Sequence, residues 1–226
     1  MKTRGGRTIM GGGDNPARIT FADGVTFDLA GTRVTLDNVA VMPLTFKYDR
    51  PIAGLVGGPF LKRFVVRLEC DRREMTLHDP AVFEHKGRGQ GIPFRIEDEI
   101  PVIQVEIGIG TREPVVGALY VDTGASQRII LTWPFVETHK LIEAAGTVTE
   151  KRAGSLTGGT SYLETRAASV RIGSIVLKDV TVGFSQDRRG SGASTTRAGI
   201  IGNGILSQFA VTIDYAQRRM ILEPCP

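Results

Sequence analysis

The stretch Val121-Asp122-Thr123-Gly124-Ala125-Ser126 is where this chain is best placed to do chemistry. An apolar run, Ala118-Leu119-Tyr120-Val121, delivers one carboxylate into a glycine turn. Asp is seldom set at the buried end of a strand unless it is paired or used. The chemistry a carboxylate offers in such a place is proton transfer. Taken alone, Asp-Thr-Gly is also the spelling of an ordinary Asp-initiated turn, so the surrounding residues have to decide.

Those residues read as strands and turns. Phe64, Val66 and Leu68 alternate with Val65, Arg67 and Glu69, the period of two that a strand with one buried face requires. Asp71-Arg72-Arg73-Glu74 makes a polar turn, and Met75 and Leu77 begin the return strand of a hairpin. Phe27-Asp28-Leu29 and Val39-Ala40-Val41 are short β-type runs. Ile103, Val105, Ile107 and Ile109 alternate, as do Val180, Val182 and Phe184. One helix is expected, over Trp133 to Ala145, with Pro134 in its first turn and Gly146 ending it. Gly154 to Tyr162 reads as a glycine-rich hairpin tip, and Gly190 to Thr196 as a mobile polar loop. The expected core includes Val66, Leu68, Val105, Ile107, Val121, Ile200, Ile201, Val211 and Ile213.

Composition narrows the function. With 226 residues, 41% of them hydrophobic, the chain can build a sizeable core. Its 28 Gly and 11 Pro, with few helical runs, point to many short strands. The net charge of +4 is spread along the chain and is not interleaved with aromatics, so no nucleic-acid surface is indicated. Two cysteines, Cys70 and Cys225, and three scattered histidines form no metal-ligand pattern, so neither metal nor cofactor is expected. Whether the two cysteines pair stays open. No apolar run is long enough for a membrane-spanning helix. The basic N-terminus lacks an apolar stretch of the signal-peptide kind, which leaves the compartment undefined.

An internal repeat joins the two halves. Gly54-Leu55-Val56-Gly57-Gly58-Pro59-Phe60-Leu61 aligns without a gap on Gly199-Ile200-Ile201-Gly202-Asn203-Gly204-Ile205-Leu206, at a spacing of 145 residues. The match runs on through Leu68 with Ile213, Arg73 with Arg218, Met75 with Met220 and Leu77 with Leu222. Upstream, Gly31 to Val39 parallels Gly173 to Val180 with one insertion. Projected back by the same spacing, Asp122 falls before Met1. The second copy is complete, whereas the first lacks its opening third. Gly199-x-x-Gly202-x-Gly204 has the look of a dinucleotide loop, but no βαβ context surrounds it and the repeat accounts for it better.

Asp122-Thr123-Gly124-Ala125, followed at a distance by Ile200-Ile201-Gly202, resembles the aspartic peptidases, both the two-lobed pepsin-like and the one-lobed retropepsin-like forms. Ala125 is closer to the retropepsin-like pattern. The resemblance implies an all-β fold of acid-protease β-barrel lobes with an internal duplication. Residues 1–80 would form an incomplete first lobe, with its recognisable part from about 19, residues 81–100 a linker, and residues 101–226 a complete lobe. It implies hydrolysis of a peptide or protein substrate through water activated by a carboxylate dyad, with Asp122 as one member. Thr123, Gly124 and Ala125 would support it, the Thr123 hydroxyl bonding across the lobe interface. Gly158 and Gly159 would form the tip of a flap over substrate, and Gly11-Gly12-Gly13 holds the matching place in the first copy. The departure is the second Asp: no other Asp-Thr-Gly or Asp-Ser-Gly occurs. Three accounts follow. The first lobe's opening strands lie upstream of Met1, which is the favoured expectation. Or a homodimer pairs Asp122 with its mate. Or the chain is an inactive relative that binds peptides or partners.

Overall fold

The computed structural model describes residues 2–10, 16–29, 31–43, 54–155 and 158–225. The first five strands are β1 (Arg4–Met10), β2 (Pro16–Ala22), β3 (Val25–Leu29), β4 (Thr32–Leu36) and β5 (Val39–Val41). A single helical turn, α1 (Gly58–Leu61), precedes the hairpin β6 (Val65–Glu69) and β7 (Glu74–His78). After β8 (Gly91–Pro93) and β9 (Arg95–Glu97) come β10 (Ile100–Ile109), β11 (Val115–Asp122) and β12 (Ile129–Leu131). Helices α2 (Trp133–Thr138) and α3 (Leu141–Ala145) separate these from β13 (Thr149–Ser155), β14 (Gly158–Ile172) and β15 (Ile175–Ser185). The last elements are β16 (Gly199–Gly202), α4 (Asn203–Leu206), β17 (Phe209–Asp214) and β18 (Arg219–Pro224). The protein is all-β, as the alternating runs and the resemblance led us to expect.

The strand order β13-β14-β15-β12-β16-β11-β10-β9, with β14 also pairing to β10, closes six of these strands into a barrel. Closure removes exposed strand edges. It also gives every inward side chain the same interior. Val105, Ile107, Leu119, Leu131, Val182 and Ile201 are each fully buried there. Of the expected core, Val66, Val121, Val211 and Ile213 are buried as well, while Leu68 and Ile200 are half-exposed.

A second sheet, β7-β6-β17-β18-β8, joins the two copies of the repeat through β6 and β17. The copies fold alike. α1 and α4 occupy equivalent residues, and each follows a glycine in extended conformation, Gly57 and Gly202. Arg73 and Arg218 take the left-handed backbone at φ 56° and 50°, and Asn38 and Asp179 do so at 58° and 53°. Such values are uncommon outside glycine, so their recurrence at matched positions marks the same turns built twice.

Two local expectations change, those for the helix and for the polar loop. The helix expected over Trp133 to Ala145 is two helices, because Lys140 adopts φ 51° and ψ 43° and breaks the run after His139. The loop expected to be mobile contains a 3-10 turn at Gly190–Ala193 that packs on α2. The glycine-rich N-terminal residues form strand β1, paired with β2; Gly11-Gly12-Gly13 lie outside the described residues. Within residues 81–100, β8 pairs with β18 and β9 with β10. No helix is long and apolar enough to cross a membrane among the described residues.

Candidate active site

Asp122 ends β11, directly beside Gly202 of the parallel strand β16. Alternation puts Leu119 and Val121 into the barrel core, so Asp122 projects from the opposite face, where it is exposed. The chain then turns sharply. The Gly124 amide donates to Asp122 Oδ1 at 2.9 Å, and the Ala125 amide donates to the Asp122 carbonyl at 3.2 Å. One carboxylate oxygen is thereby oriented by the backbone, and Oδ2 forms no hydrogen bond among the described residues. A side chain at Gly124 would place its Cβ 3.2 Å from Oδ1, crowding the carboxylate it holds.

The loop is fastened to the start of α4. The amides of Gly202, Asn203 and Gly204 donate to the carbonyls of Arg128, Ala125 and Gln127 at 2.9, 2.7 and 3.0 Å. The first amides of a helix have no partner within the helix, and the loop carbonyls supply one. A Cβ at Gly202 would sit 2.5 Å from the Gln127 carbonyl oxygen and 2.7 Å from that of Ala125. Ile201 lies beneath, fully buried between Val121 and Ile129 of the flanking strands. This is the physical reason why the apolar-apolar-Gly unit accompanies Asp-Thr-Gly.

In the first copy, no counterpart of the Asp122 loop packs on the equivalent unit among the described residues. Leu55 and Val56 are 57% and 38% exposed, although their equivalents Ile200 and Ile201 lie between two strands. Among the described residues, nothing lies within 4 Å of a Cβ built on Gly57. Among the described residues, no backbone carbonyl accepts from the Gly57 and Gly58 amides.

Thr123 is half-buried, and its hydroxyl makes no hydrogen bond among the described residues. Gly158 and Gly159 lie at the turn end of the β13–β14 hairpin, where Ser155 faces Gly158 and Gly154 faces Gly159. Gly158 has φ 124°, a conformation side chains resist. The hairpin is braced lower down: Thr160 Oγ1 donates to Asp187 Oδ2 at 2.8 Å, and the Gln186 amide donates to the Ser161 carbonyl at 3.0 Å.

Several residues of the Asp122 face were not anticipated from sequence. Tyr120 lies two residues before Asp122 on the same side of β11, buried under the Arg197 guanidinium at 4.2 Å from the ring centroid. Burial raises the Tyr120 phenol above its ordinary value, and Arg197 partly offsets this. The period of two that exposes Asp122 would also have singled out Tyr120. Among the described residues, no three His, Cys, Asp or Glu side chains converge as metal ligands would. A cleft of about 610 Å³, lined by Arg88, Ile92, Ile172, Phe209 and Leu222 among others, is not bordered by the Asp122 loop.

A family model described as Aspartyl protease matches residues 103–205. That range runs from β10 to α4 and contains the Asp122 loop, the β13–β14 hairpin and Ile200-Ile201-Gly202. Among solved structures, the chain is similar to a retropepsin-like aspartic protease from Rickettsia conorii, with 18% identity and a TM-score of 0.40. That match covers 61% of this chain and 99% of the other. No curated protein matches.

Proposed function

We propose that this chain, whose residues 103–205 belong to the aspartic peptidase family, is an endopeptidase that cleaves peptide bonds with water held between two carboxylates. Asp122 is one of them. The observation that supports this reading best is an exposed carboxylate with one oxygen oriented by the Gly124 amide, on a loop fastened to Gly202–Gly204. Like charges about 3 Å apart do not both ionise, so such a pair shares one proton. The ionised member takes a proton from water while the protonated member donates to the scissile carbonyl. The titration belongs to the pair. In this reading Gly124 and Ala125 hold the loop, the Thr123 hydroxyl bonds to the facing loop, and Gly158 and Gly159 close over substrate.

The second carboxylate arrives on an extended segment that lies along residues 54–57. Leu55 and Val56 are exposed there, and among the described residues nothing lies within 4 Å of a Cβ built on Gly57 and no carbonyl accepts from the Gly57 and Gly58 amides. An in-frame apolar-Asp-Thr/Ser-Gly in the coding DNA upstream of Met1 would place that segment on this chain. Activity rising with the square of protein concentration would place it on a second copy.

The test is incubation with a mixed peptide library at acidic and neutral pH. Cleavage that is blocked by a statine-type transition-state mimic and lost in Asp122→Asn supports the proposal. Cleavage that survives Asp122→Asn refutes it. Binding of peptides without any cleavage, with the second segment supplied, would make the chain a binding module instead.

A further inference from the structure

We infer that Arg197 is a specificity-determining residue, selecting substrates with an acidic side chain beside the scissile bond. The inference rests on the peptidase reading above and names a class of substrate for it. Four strands set the floor next to Asp122 in register: Tyr120 pairs with Ile200, Ile200 with Ile130, and Ile130 with Gly183. Ile200 and Ile130 are half-exposed on this face. Gly183 leaves a gap that Tyr162 occupies, since a Cβ there would meet the Tyr162 ring at 2.7 Å. The floor is therefore apolar across its middle.

Its Tyr120 end is different. Arg197 lies over the Tyr120 ring, about 7 Å along the strand from Asp122 at two residues of rise. Its Nε is buried with no hydrogen-bond partner among the described residues, and its Nη2 reaches the Ser191 carbonyl at a marginal 3.4 Å. Asp98 is engaged with the Tyr120 hydroxyl at 3.4 Å instead. Among the described residues no carboxylate forms an ion pair with Arg197. A guanidinium is built for a planar carboxylate, which it meets with two parallel hydrogen bonds. Stacking on Tyr120 holds the fork in place before ligand arrives. At the other end of the floor Glu164, paired with Gly183, presents the opposite charge. An acidic group is accordingly favoured at the Arg197 end alone.

The test is binding of uncleavable peptides, with a reduced bond at the centre and Glu, Gln or Lys placed at each flanking position in turn. The protein is the full chain carrying Asp122→Asn, read by fluorescence anisotropy. Glu at one flanking position should bind about tenfold more tightly than Gln. That preference should fall as salt is raised, disappear in Arg197→Met and persist in Arg197→Lys. Circular dichroism on each variant separates a lost preference from a lost fold. Equal binding of the Glu and Gln peptides, or a preference that survives Arg197→Met, overturns the inference, as does failure of every peptide to bind. A Glu preference in a protein that never cleaves would leave the inference standing and defeat the peptidase reading.

Discussion

Arg67 and Thr212 face each other as paired residues of β6 and β17, and they are also equivalents in the repeat, 145 residues apart. Two antiparallel strands can pair equivalent residues at only one point. That point marks the local two-fold axis relating the copies. On either side of it Val66 pairs with Ile213 and Leu68 with Val211, each opposite the other's equivalent. The same operation relates Gly202, beside which Asp122 lies, to Gly57 at the end of Leu55–Gly57.

The axis is reinforced by charge. Arg67 Nη1 donates to Glu223 Oε2 at 2.7 Å and weakly to Thr212 Oγ1 at 3.4 Å. Burial raises the Glu223 carboxyl, but the Arg67 bond, His85 and the Gly89 amide outweigh it and leave the value below the ordinary 4.5. A depressed value means stability that is present above the unfolded value and lost as pH falls through the folded one. Glu223→Gln should therefore cost about 1 kcal/mol at neutral pH. The gap from the parent should close below pH 4.5, as thermal melts across that range would register.

Substituting alanine at two equivalent glycines should give opposite results. Gly202→Ala drives a methyl into the carbonyls of Gln127 and Ala125, and should cost about 1–3 kcal/mol. Gly57→Ala meets nothing within 4 Å among the described residues, and should stay within about 0.5 kcal/mol. Urea titration of both variants checks this. If a segment does pair along residues 54–57, Gly57→Ala should still impair cleavage.

Leu55→Arg separates stability from assembly. Leu55 is exposed in the structure, so the melting temperature should barely move. Cleavage should fall at least tenfold, because the substitution charges a surface that the second carboxylate's segment has to cover. Unchanged kcat/KM would remove that surface from the account.

Asp122→Asn should leave folding almost untouched, since the amide oxygen still accepts from Gly124. Activity should drop by at least about a hundredfold, the scale of a lost acid–base group. Paired melting curves and progress curves would show both.

The hairpin tip offers a kinetic prediction. Gly158→Val forces a β-branched residue to φ 124°. If this tip closes over substrate, kcat/KM should fall several-fold with little change in global stability. Steady-state kinetics beside urea titration would distinguish a stiffened closure from a damaged fold.

Much of this architecture was legible in the sequence because burial imposes a period. The alternation through Ile103 to Ile109 named β10, and the repeat matched Gly54–Leu61 to Gly199–Leu206, which contain the equivalent turns α1 and α4. Asp122 was expected at the buried end of an apolar strand, whereas it ends β11 exposed, because the alternation that buries Val121 turns it to the other face. The break at Lys140 was hidden, since lysine is a good helix former and only its backbone angles betray the turn. Arg197 over Tyr120 was hidden as well. The pair is separated by 77 positions in the chain and meets only because β16 lies parallel to β11.

The sheet shared by β6 and β17 also sets an order of events during synthesis. At about 5–20 residues per second, the ribosome needs on the order of ten seconds to travel the 145 residues from Arg67 to Thr212. During that interval the β6–β7 hairpin exists without the neighbour that completes it. Two-stranded hairpins are marginal in water, so this part of the chain waits, with its apolar face open, for strands made last. Nascent-chain lengths that end before β17 should therefore expose Val66 and Leu77 to chaperones and proteases. Lengths that include β18 should protect them in a single step.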